Sequence, residues 1–360
     1  MKNILYYFLS LIGLCALFSA CEDWTETEVK NPENLIESSH SEEYYTRLRA
    51  YKASDHPIAF GWFGNWTGTG VSLMNSMAGL PDSVDVISMW GGWKNPSAAM
   101  LEDLRFVQQQ KGIKALVCFI LLDIGAQITP VGEEPHKFWG WVDGDDEAIE
   151  RSIRKYANAL CDTIDKYNYD GYDLDWEPSY SHPFQTSYEM AKNGRIGIFI
   201  DEMSKRIGPR SGTGRLFVID GEPGNSQIPK EMGKCFDYFI VQAYSATSDA
   251  ALMIREHGLN DIIKYYDGVL SAEECAKKYI VTEDFEKYAS TGGLTYTDSE
   301  GNKMNSVEGM ARWNPIINGK KVRKGGVGTF HMEYEYMIDG KEGTYPYLRK
   351  AIQLMNPAVK

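Results

Sequence analysis

The sequence predicts an α/β fold of the (β/α)8 TIM-barrel type. Three observations predict it: short apolar runs recur along the chain, helical patterns separate them, and several of the runs are apolar almost throughout. Strands that are buried on both faces of a parallel sheet have this last property. A chain of 360 residues is long enough to build one such barrel with a full core.

Eight apolar runs are strand candidates, at residues 57–66, 84–92, 113–123, 169–177, 215–222, 236–245, 278–286 and 325–335. The clearest helix pattern spans 145–168, where apolar residues recur at helical spacing after an acidic first turn. Further helices are expected at 95–112, 188–208, 249–266 and 345–356. Barrel active sites form at the C-terminal ends of the strands. Acidic residues near three of those ends are therefore candidates for substrate binding: Asp123, Glu222 and Glu283.

The N-terminal segment has the pattern of a secretory signal, with an early lysine, an apolar stretch and small residues that end at Cys21. LFSAC at residues 17–21 resembles a bacterial lipobox, which predicts a lipoprotein signal peptide over 1–20 and lipid attachment at Cys21. An ordinary signal peptide or an N-terminal membrane anchor is the alternative. Residues 21–39 read as a polar tether and 40–360 as the barrel domain. The acidic residues after Cys21 favour an outer-membrane lipoprotein at the cell surface.

Charge and cysteine spacing exclude several classes of function. The net charge of −13 argues against a nucleic-acid partner or an anionic membrane surface, so that contact with a membrane is expected only through the lipid anchor. The cysteines show no CxxC spacing, which disfavours zinc or redox chemistry. We expect a monomer that uses no cofactor and no metal.

The stretch NYDGYDLDWEP, at residues 168–178, places four acidic residues among large apolar ones. If 169–177 is a strand, its alternation puts Asp173, Asp175 and Glu177 on one face and the apolar residues on the other. In a barrel the apolar face would contact the helices, and the acids would point inward. Carboxyl groups crowded in this way raise at least one pKa, which provides the protonated acid that general acid catalysis needs. Glu177, nearest the mouth, is the candidate.

Other interpretations of this acidic segment remain open. An exposed strand with a polar outer face would also alternate, and the Asp-Gly pair at residues 170–171 could mark a turn. A metal site built from the carboxylates is a third alternative. A calcium loop of the EF-hand type does not fit, because the sixth position counted from Asp173 is Pro178 rather than glycine.

DGYDLDWE fits the DxxDxDxE pattern of glycoside hydrolase family 18 and lies on the fourth strand candidate, where that family carries it. The chain therefore resembles this family, and the resemblance implies a retaining, substrate-assisted mechanism. Glu177 would protonate the glycosidic oxygen while the substrate's 2-acetamido group attacks the anomeric carbon. Asp175 would hold the acetamido N–H, and Asp173 would tune Asp175. On strand six, in VQAYS, Tyr244 would contact the acetamido oxygen.

By the same resemblance Gln242 would line the pocket, and Phe330 is a candidate contact with the sugar. Trp66 and Trp90 are aromatic residues at strand ends and are candidates for stacking on sugar rings, with core packing as the alternative. Asp170 is a candidate for substrate binding, and its alternative role is to shape the entry of the strand. Phe330 lies where chitinases usually keep a tryptophan under the sugar, and Gln242 and Ser245 replace the Met and Asp of the chitinase Met-x-Tyr-Asp pattern. The segment between the last two strands is too short for the domain inserted in many chitinases. These departures indicate an open site that resembles the endo-β-N-acetylglucosaminidases, which cleave the N,N'-diacetylchitobiose core of N-glycans. A chitinase-like hydrolase of N-acetylglucosamine oligomers and a non-catalytic glycan-binding lipoprotein are the alternatives.

Overall fold

In a computed structural model, which describes residues 40–125, 127–180 and 188–357, eight parallel strands close into a barrel. Each strand pairs with its neighbours in sequence, and the last pairs with the first. This confirms the predicted TIM barrel. The expected signal peptide, Cys21 and the tether lie outside the described residues. The barrel strands are β1 (Ile58–Phe63), β2 (Val86–Met89), β3 (Lys114–Ile120), β4 (Gly171–Trp176), β5 (Leu216–Gly221), β6 (Phe239–Val241), β7 (Tyr279–Asp284) and β8 (Gly326–Phe330).

Helices surround the barrel, and most of them lie where the periodicity predicts. Residues 249–266 differ from the prediction, since they form two helices separated by residues 255–258. Gly258 has an extended backbone and directly precedes the second helix. Between β7 and β8 the chain also forms two small antiparallel hairpins. The helices are α1 (Glu42–Lys52), α2 (Ala98–Phe106), α3 (Pro135–Trp139), α4 (Asp146–Tyr167), α5 (Arg195–Met203), α6 (Asp249–Ile254), α7 (Leu259–Tyr265), α8 (Ala272–Lys278), α9 (Phe285–Tyr288), α10 (Ser306–Arg312) and α11 (Pro346–Met355).

Alternate residues of the strands fill two separate cores. The larger core lies between the strands and the helices. The smaller one fills the barrel itself and contains Phe60, Leu116, Val218, Ile240 and Ile280. Because side chains of a strand alternate between faces, the next inward residues toward the C-terminal ends stand above this apolar plug. The plug thus forms the floor beneath the mouth of the barrel.

Two further observations concern the described part of the chain. None of its helices is long and apolar enough to cross a membrane. Its cysteines are buried free thiols, as expected of core residues: Cys118, Cys161, Cys235 and Cys275. Of these, Cys118 lies inside the barrel, where it meets the acidic residues described below.

Candidate active site

Strand β4 alternates between the two cores as its sequence predicts. Tyr172, Leu174 and Trp176 pack into the core that faces the helices. Asp173 and Asp175 are buried on the opposite face, with exposures of 0% and 2%. Glu177 follows the last strand residue and is half-buried. The acids therefore rise through the barrel from its apolar floor to its mouth.

Asp173, the deepest of these acids, is held by two side-chain donors from neighbouring strands. Its Oδ2 accepts a hydrogen bond from the Ser88 hydroxyl at 2.6 Å and another from the Trp62 indole N–H at 3.1 Å. Burial raises the pKa of Asp173 to about 6, and the hydrogen bonds oppose this rise. The donors fix the Asp173 carboxyl at the base of the acid group.

Asp220 on β5 is a fourth buried acid, which the sequence pattern alone did not single out. The register of β4 and β5 places it directly opposite Asp175. Burial first, and then the charges of neighbouring acids, raise the pKa of both Asp175 and Asp220 well above the ordinary value. The pKa rise expected from crowded carboxyl groups is therefore present in Asp175 and Asp220, where the charges of neighbouring acids add to the effect of burial. Asp220 can be recognised as a member of this acid group only from the register of β4 and β5.

Gln242 and Tyr244, from the segment after β6, complete the polar part of the site. The Gln242 amide nitrogen donates a short hydrogen bond to Glu177 Oε1 and another to Asp220 Oδ1 at 3.2 Å. Burial, with the charges of Asp220 and Asp175, raises the pKa of the Tyr244 hydroxyl well above its ordinary value. Tyr244 therefore stays protonated at neutral pH and can donate a hydrogen bond beside the acids.

An aromatic cluster forms the remaining wall of the mouth, with Phe330 at its centre. The ring centroid of Phe330 lies 5.7 Å from that of Trp90, 6.1 Å from that of Trp62 and 6.2 Å from that of Tyr244. Phe330 and Trp90 are half-buried, which leaves part of each ring open to a ligand. The structure thus brings two predicted aromatic contacts to the acid group, and it adds Trp62.

Two residues expected at the sugar lie elsewhere. Trp66 is 5% exposed, packs into the helix-facing core and donates its indole N–H to Asp103 at 2.8 Å. Asp170 lies at the opposite end of the barrel, immediately before β4, where it accepts hydrogen bonds from Ala115 N at 2.9 Å and from the Gln108 amide at 2.7 Å. Its place at the N-terminal end of a strand gives Asp170 a role in joining β4 to β3 and to the helical turn that follows α2.

The three acids expected from the strand ends stabilise loops. Glu283 is fully buried and accepts hydrogen bonds from Ser306 and from Ser245 N, because the alternation of β7 turns Glu283 outward and Asp284 inward. Glu222 accepts from Ser179 N and Ser179 Oγ, both at 2.9 Å, and so ties down the segment after Glu177. Asp123 is half-buried and bonds to His136 Nε2 at 2.9 Å.

Two groups of side chains have the spacing that could hold a metal ion. Cys118, Asp173 and Asp220 form one, while Asp175, Glu177 and Asp220 form the other, and within each the possible ligand atoms lie within 4.8 Å of one another. The raised pKa values of Asp175 and Asp220 favour protonated carboxyls in this group. The acid group can therefore hold a proton beside Glu177 at the mouth, as an acid catalyst requires.

Comparison with known proteins agrees with this geometry. The family model described as glycoside hydrolase family 18, BT1044-like, matches residues 20–354. The solved structure of a selenomethionine-labelled Glu-to-Gln variant of BT1044 is 35% identical, covers 90% of this chain and 97% of its own, and superposes with a TM-score of 0.73.

Two endo-β-N-acetylglucosaminidases are also similar. Endo-beta-N-acetylglucosaminidase F2 of Elizabethkingia meningoseptica is 24% identical over 327 residues, which are 87% of this chain and 85% of that protein. The enzyme of Cordyceps militaris, solved as a double variant with fucosyl-N-acetylglucosamine-Asn, is 20% identical, covers 89% of this chain and 98% of its own at a TM-score of 0.59, and shares the fold. The chain belongs to glycoside hydrolase family 18, in its BT1044-like group, and is a glycosidase.

Proposed function

We propose that the protein is an endo-β-N-acetylglucosaminidase that hydrolyses the N,N'-diacetylchitobiose core of N-glycans. The observation that carries the proposal is the placement of Asp175 on β4 and of Glu177 directly after it, with carboxyl atoms within 4.8 Å of each other. Side chains that rise from the same strand reach the same side of a bound sugar. They cannot act as acid and nucleophile from opposite sides of its ring. The nucleophile must therefore come from the substrate, and a 2-acetamido group supplies it.

The reaction then uses each polar group once. Glu177 gives its proton to the glycosidic oxygen as the bond from that oxygen to the anomeric carbon breaks. The acetamido oxygen forms a bond to the anomeric carbon, and Asp175 accepts the N–H of the resulting oxazolinium ion. The Tyr244 hydroxyl donates to the acetamido oxygen. Water then attacks the anomeric carbon as the bond from that carbon to the acetamido oxygen breaks, and the water gives a proton back to Glu177. The second displacement restores the acetamido group, and the product keeps its configuration.

Two observations favour N-glycans over chitin. One is the similarity, over 87% of this chain, to a protein named as an endo-β-N-acetylglucosaminidase. The other is the sequence of the site, where Gln242, Ser245 and Phe330 replace the Met, Asp and Trp usual in chitinases. Hydrolysis of N-acetylglucosamine oligomers is the second candidate, because the same acids would serve any β-linked N-acetylglucosamine unit.

The test is the mass of a denatured N-glycoprotein before and after incubation with the enzyme. Cleavage of the chitobiose core leaves one N-acetylglucosamine on each glycosylated asparagine. A parallel incubation with N-acetylglucosamine oligomers measures the second candidate. An unchanged glycoprotein mass together with hydrolysis of the oligomers would replace the proposal with the chitinase-like activity.

We also propose that the chain is a monomeric lipoprotein of the outer membrane, anchored through Cys21 and facing the outside of the cell. The support is the lipobox-like LFSAC and the acidic segment that follows it. Metabolic labelling with a radioactive fatty acid should mark the wild-type protein and leave Cys21→Ala unlabelled. Equal labelling of both would contradict the anchor.

A further inference from the structure

Asp220 lies between two groups of titratable side chains. Its carboxyl lies within 4.8 Å of Cys118 and Asp173 on one side, and of Asp175 and Glu177 on the other. It is fully buried, and its strand pairs directly with the strand that carries the other acids. An acid in this position can act on both groups at once.

Gln242 connects Asp220 to the proposed catalytic acid. The amide nitrogen of Gln242 carries two N–H donors, and it contacts Glu177 Oε1 and Asp220 Oδ1. In this orientation of the amide, Glu177 Oε1 and Asp220 Oδ1 are both acceptors, so that a proton on either acid is carried by its other oxygen.

The hydrogen bonds around Asp173 indicate where the proton of Asp220 lies. Asp173 accepts from Ser88 and Trp62, as an ionised carboxylate does. The carboxyl oxygens of Asp173 and Asp220 approach within 4.8 Å of each other, and two buried carboxyls this close are most stable when one of them carries a proton. Since Asp220 Oδ1 accepts from Gln242, its Oδ2 is left to carry that proton toward Asp173.

The other titratable groups that face Asp220 are Cys118 on β3, the acids of β4, and Tyr244 after β6. The acids disfavour a further negative charge at this depth. The Cys118 thiol donates to Asp220 Oδ2 at 3.9 Å, but a thiol is a weak donor and does not compensate a buried charge. The neutral form of Asp220 is therefore the form that fits its surroundings.

We propose that Asp220 is a positioning residue that works as the neutral acid: it donates to Asp173, orients the Gln242 amide, and so confines the catalytic proton of Glu177 to Oε2. The proposal rests on the proposed function, in which Glu177 is the proton donor. A proton that is always on the same oxygen of Glu177 is already oriented toward the glycosidic oxygen before the reaction begins.

Two substitutions of Asp220 test whether it acts as a neutral acid or as an ionised one. Asp220→Asn keeps a donor for Asp173 and an acceptor for Gln242, whereas Asp220→Ala keeps neither. We expect Asp220→Asn to retain kcat within about tenfold of wild type, and Asp220→Ala to lose about a hundredfold or more in kcat with little change in KM. Adding Asp220→Ala to Gln242→Ala should cause little further loss, because Asp220 acts through Gln242.

Controls separate this role from packing. Val218→Ala, also inward on β5 and fully buried, should lower the thermal midpoint while it keeps most of kcat. If Asp220→Ala does not fold, Asp220→Leu fills the same space without hydrogen bonds. The infrared difference spectrum of wild type minus Asp220→Asn at neutral pH should contain a carboxylic-acid band. This band reports the proton of Asp220 separately from those of the other protonated acids, and it needs no substrate.

The results that would overturn the proposal are distinct from failure of the function. Equal loss in Asp220→Asn and Asp220→Ala would mean that an ionised carboxylate is needed. Wild-type kcat in Asp220→Ala, losses that add to those of Gln242→Ala, or an unchanged infrared band would each also contradict it. An inactive wild type would instead count against the proposed function, and the infrared band would still test the proton on Asp220.

Discussion

At the residue scale, the acids of β4 could be predicted from sequence because alternation along one strand is a local property. Asp173, Asp175 and Glu177 lie as the period of two requires. Asp220 could not be found in this way, because its contact with Asp175 depends on the register between two strands. Glu283 shows a second limit. When both faces of a strand are buried, sequence does not tell which of two neighbouring acids, Glu283 or Asp284, points inward.

Replacing the proposed catalytic acid tests the role of a single carboxyl. We expect Glu177→Gln to lower kcat about a thousandfold or more, because an amide cannot protonate the leaving oxygen. The thermal midpoint should change little, since Glu177 is only half-buried. Release of glycan measured by mass spectrometry gives the rate.

Glu283→Gln is the matched control for Glu177→Gln. It is also a barrel carboxylate, but it is fully buried against Ser306 and Ser245 and does not face the acid group. Its substitution should change stability more than kcat. A wild-type rate in Glu177→Gln, or an equal loss in both variants, would show that the acid has been assigned to the wrong residue.

At the scale of the element, the start of β4 determines whether the acids reach the mouth at the right height. Gly171 has a φ of +147°, and a Cβ there would lie 1.9 Å from the carbonyl oxygen of Leu216 on β5. A side chain at this position would strain the backbone, because L residues rarely adopt such a φ. It would also clash with β5, which approaches closely here. The Asp-Gly pair at 170–171 is thus a strand start, and the alternative of a turn is not needed.

We expect Gly171→Ala to destabilise the protein by about 3 kcal/mol or more, from strain and overpacking together. Gly194→Ala is the matched control, because Gly194 also has a positive φ, +72°, but a Cβ at Gly194 would meet nothing within 4 Å. It should cost only about 1–2 kcal/mol. Urea denaturation of both variants gives the comparison, and equal costs would contradict the proposed close contact.

The stability that the start of α11 contributes to the fold depends on pH, through Glu335. Glu335 is fully buried and accepts hydrogen bonds from Tyr347 N and Leu348 N at the start of α11. Burial raises its pKa from an ordinary 4.5 to about 8, although these backbone hydrogen bonds oppose the rise. The folded state therefore holds a proton that the unfolded chain releases. The stability from this proton is complete below pH 4.5 and is lost as the pH rises through about 8.

Glu335→Gln removes this titration while it keeps an acceptor for the helix. As the pH rises from about 5 to about 9, the thermal midpoint of the wild type should fall relative to that of Glu335→Gln. Calorimetry over this range measures it. A difference that stays constant with pH would mean that Glu335 is ionised in the folded protein throughout.

At the scale of the whole molecule, the barrel could be predicted because its strands are nearly continuous apolar runs separated by periodic helices. The pair of helices in 249–266 and the hairpins between β7 and β8 could not, since short elements depend on contacts distant in sequence. The same barrel closure brings Phe330 of β8 beside Trp62 of β1 and Tyr244 after β6. The active site is thus assembled by the closure of the barrel, and only its acidic strand can be recognised from the local sequence pattern.

The central claim is that these acids serve a substrate that supplies its own nucleophile. The most direct test is inhibition by a thiazoline that mimics the oxazolinium ion, made from the glycan that the enzyme releases. The thiazoline should inhibit competitively and bind at least about a hundredfold more tightly than the substrate, as an analogue of a reaction intermediate does. Hydrolysis that is indifferent to the thiazoline would contradict participation by the acetamido group.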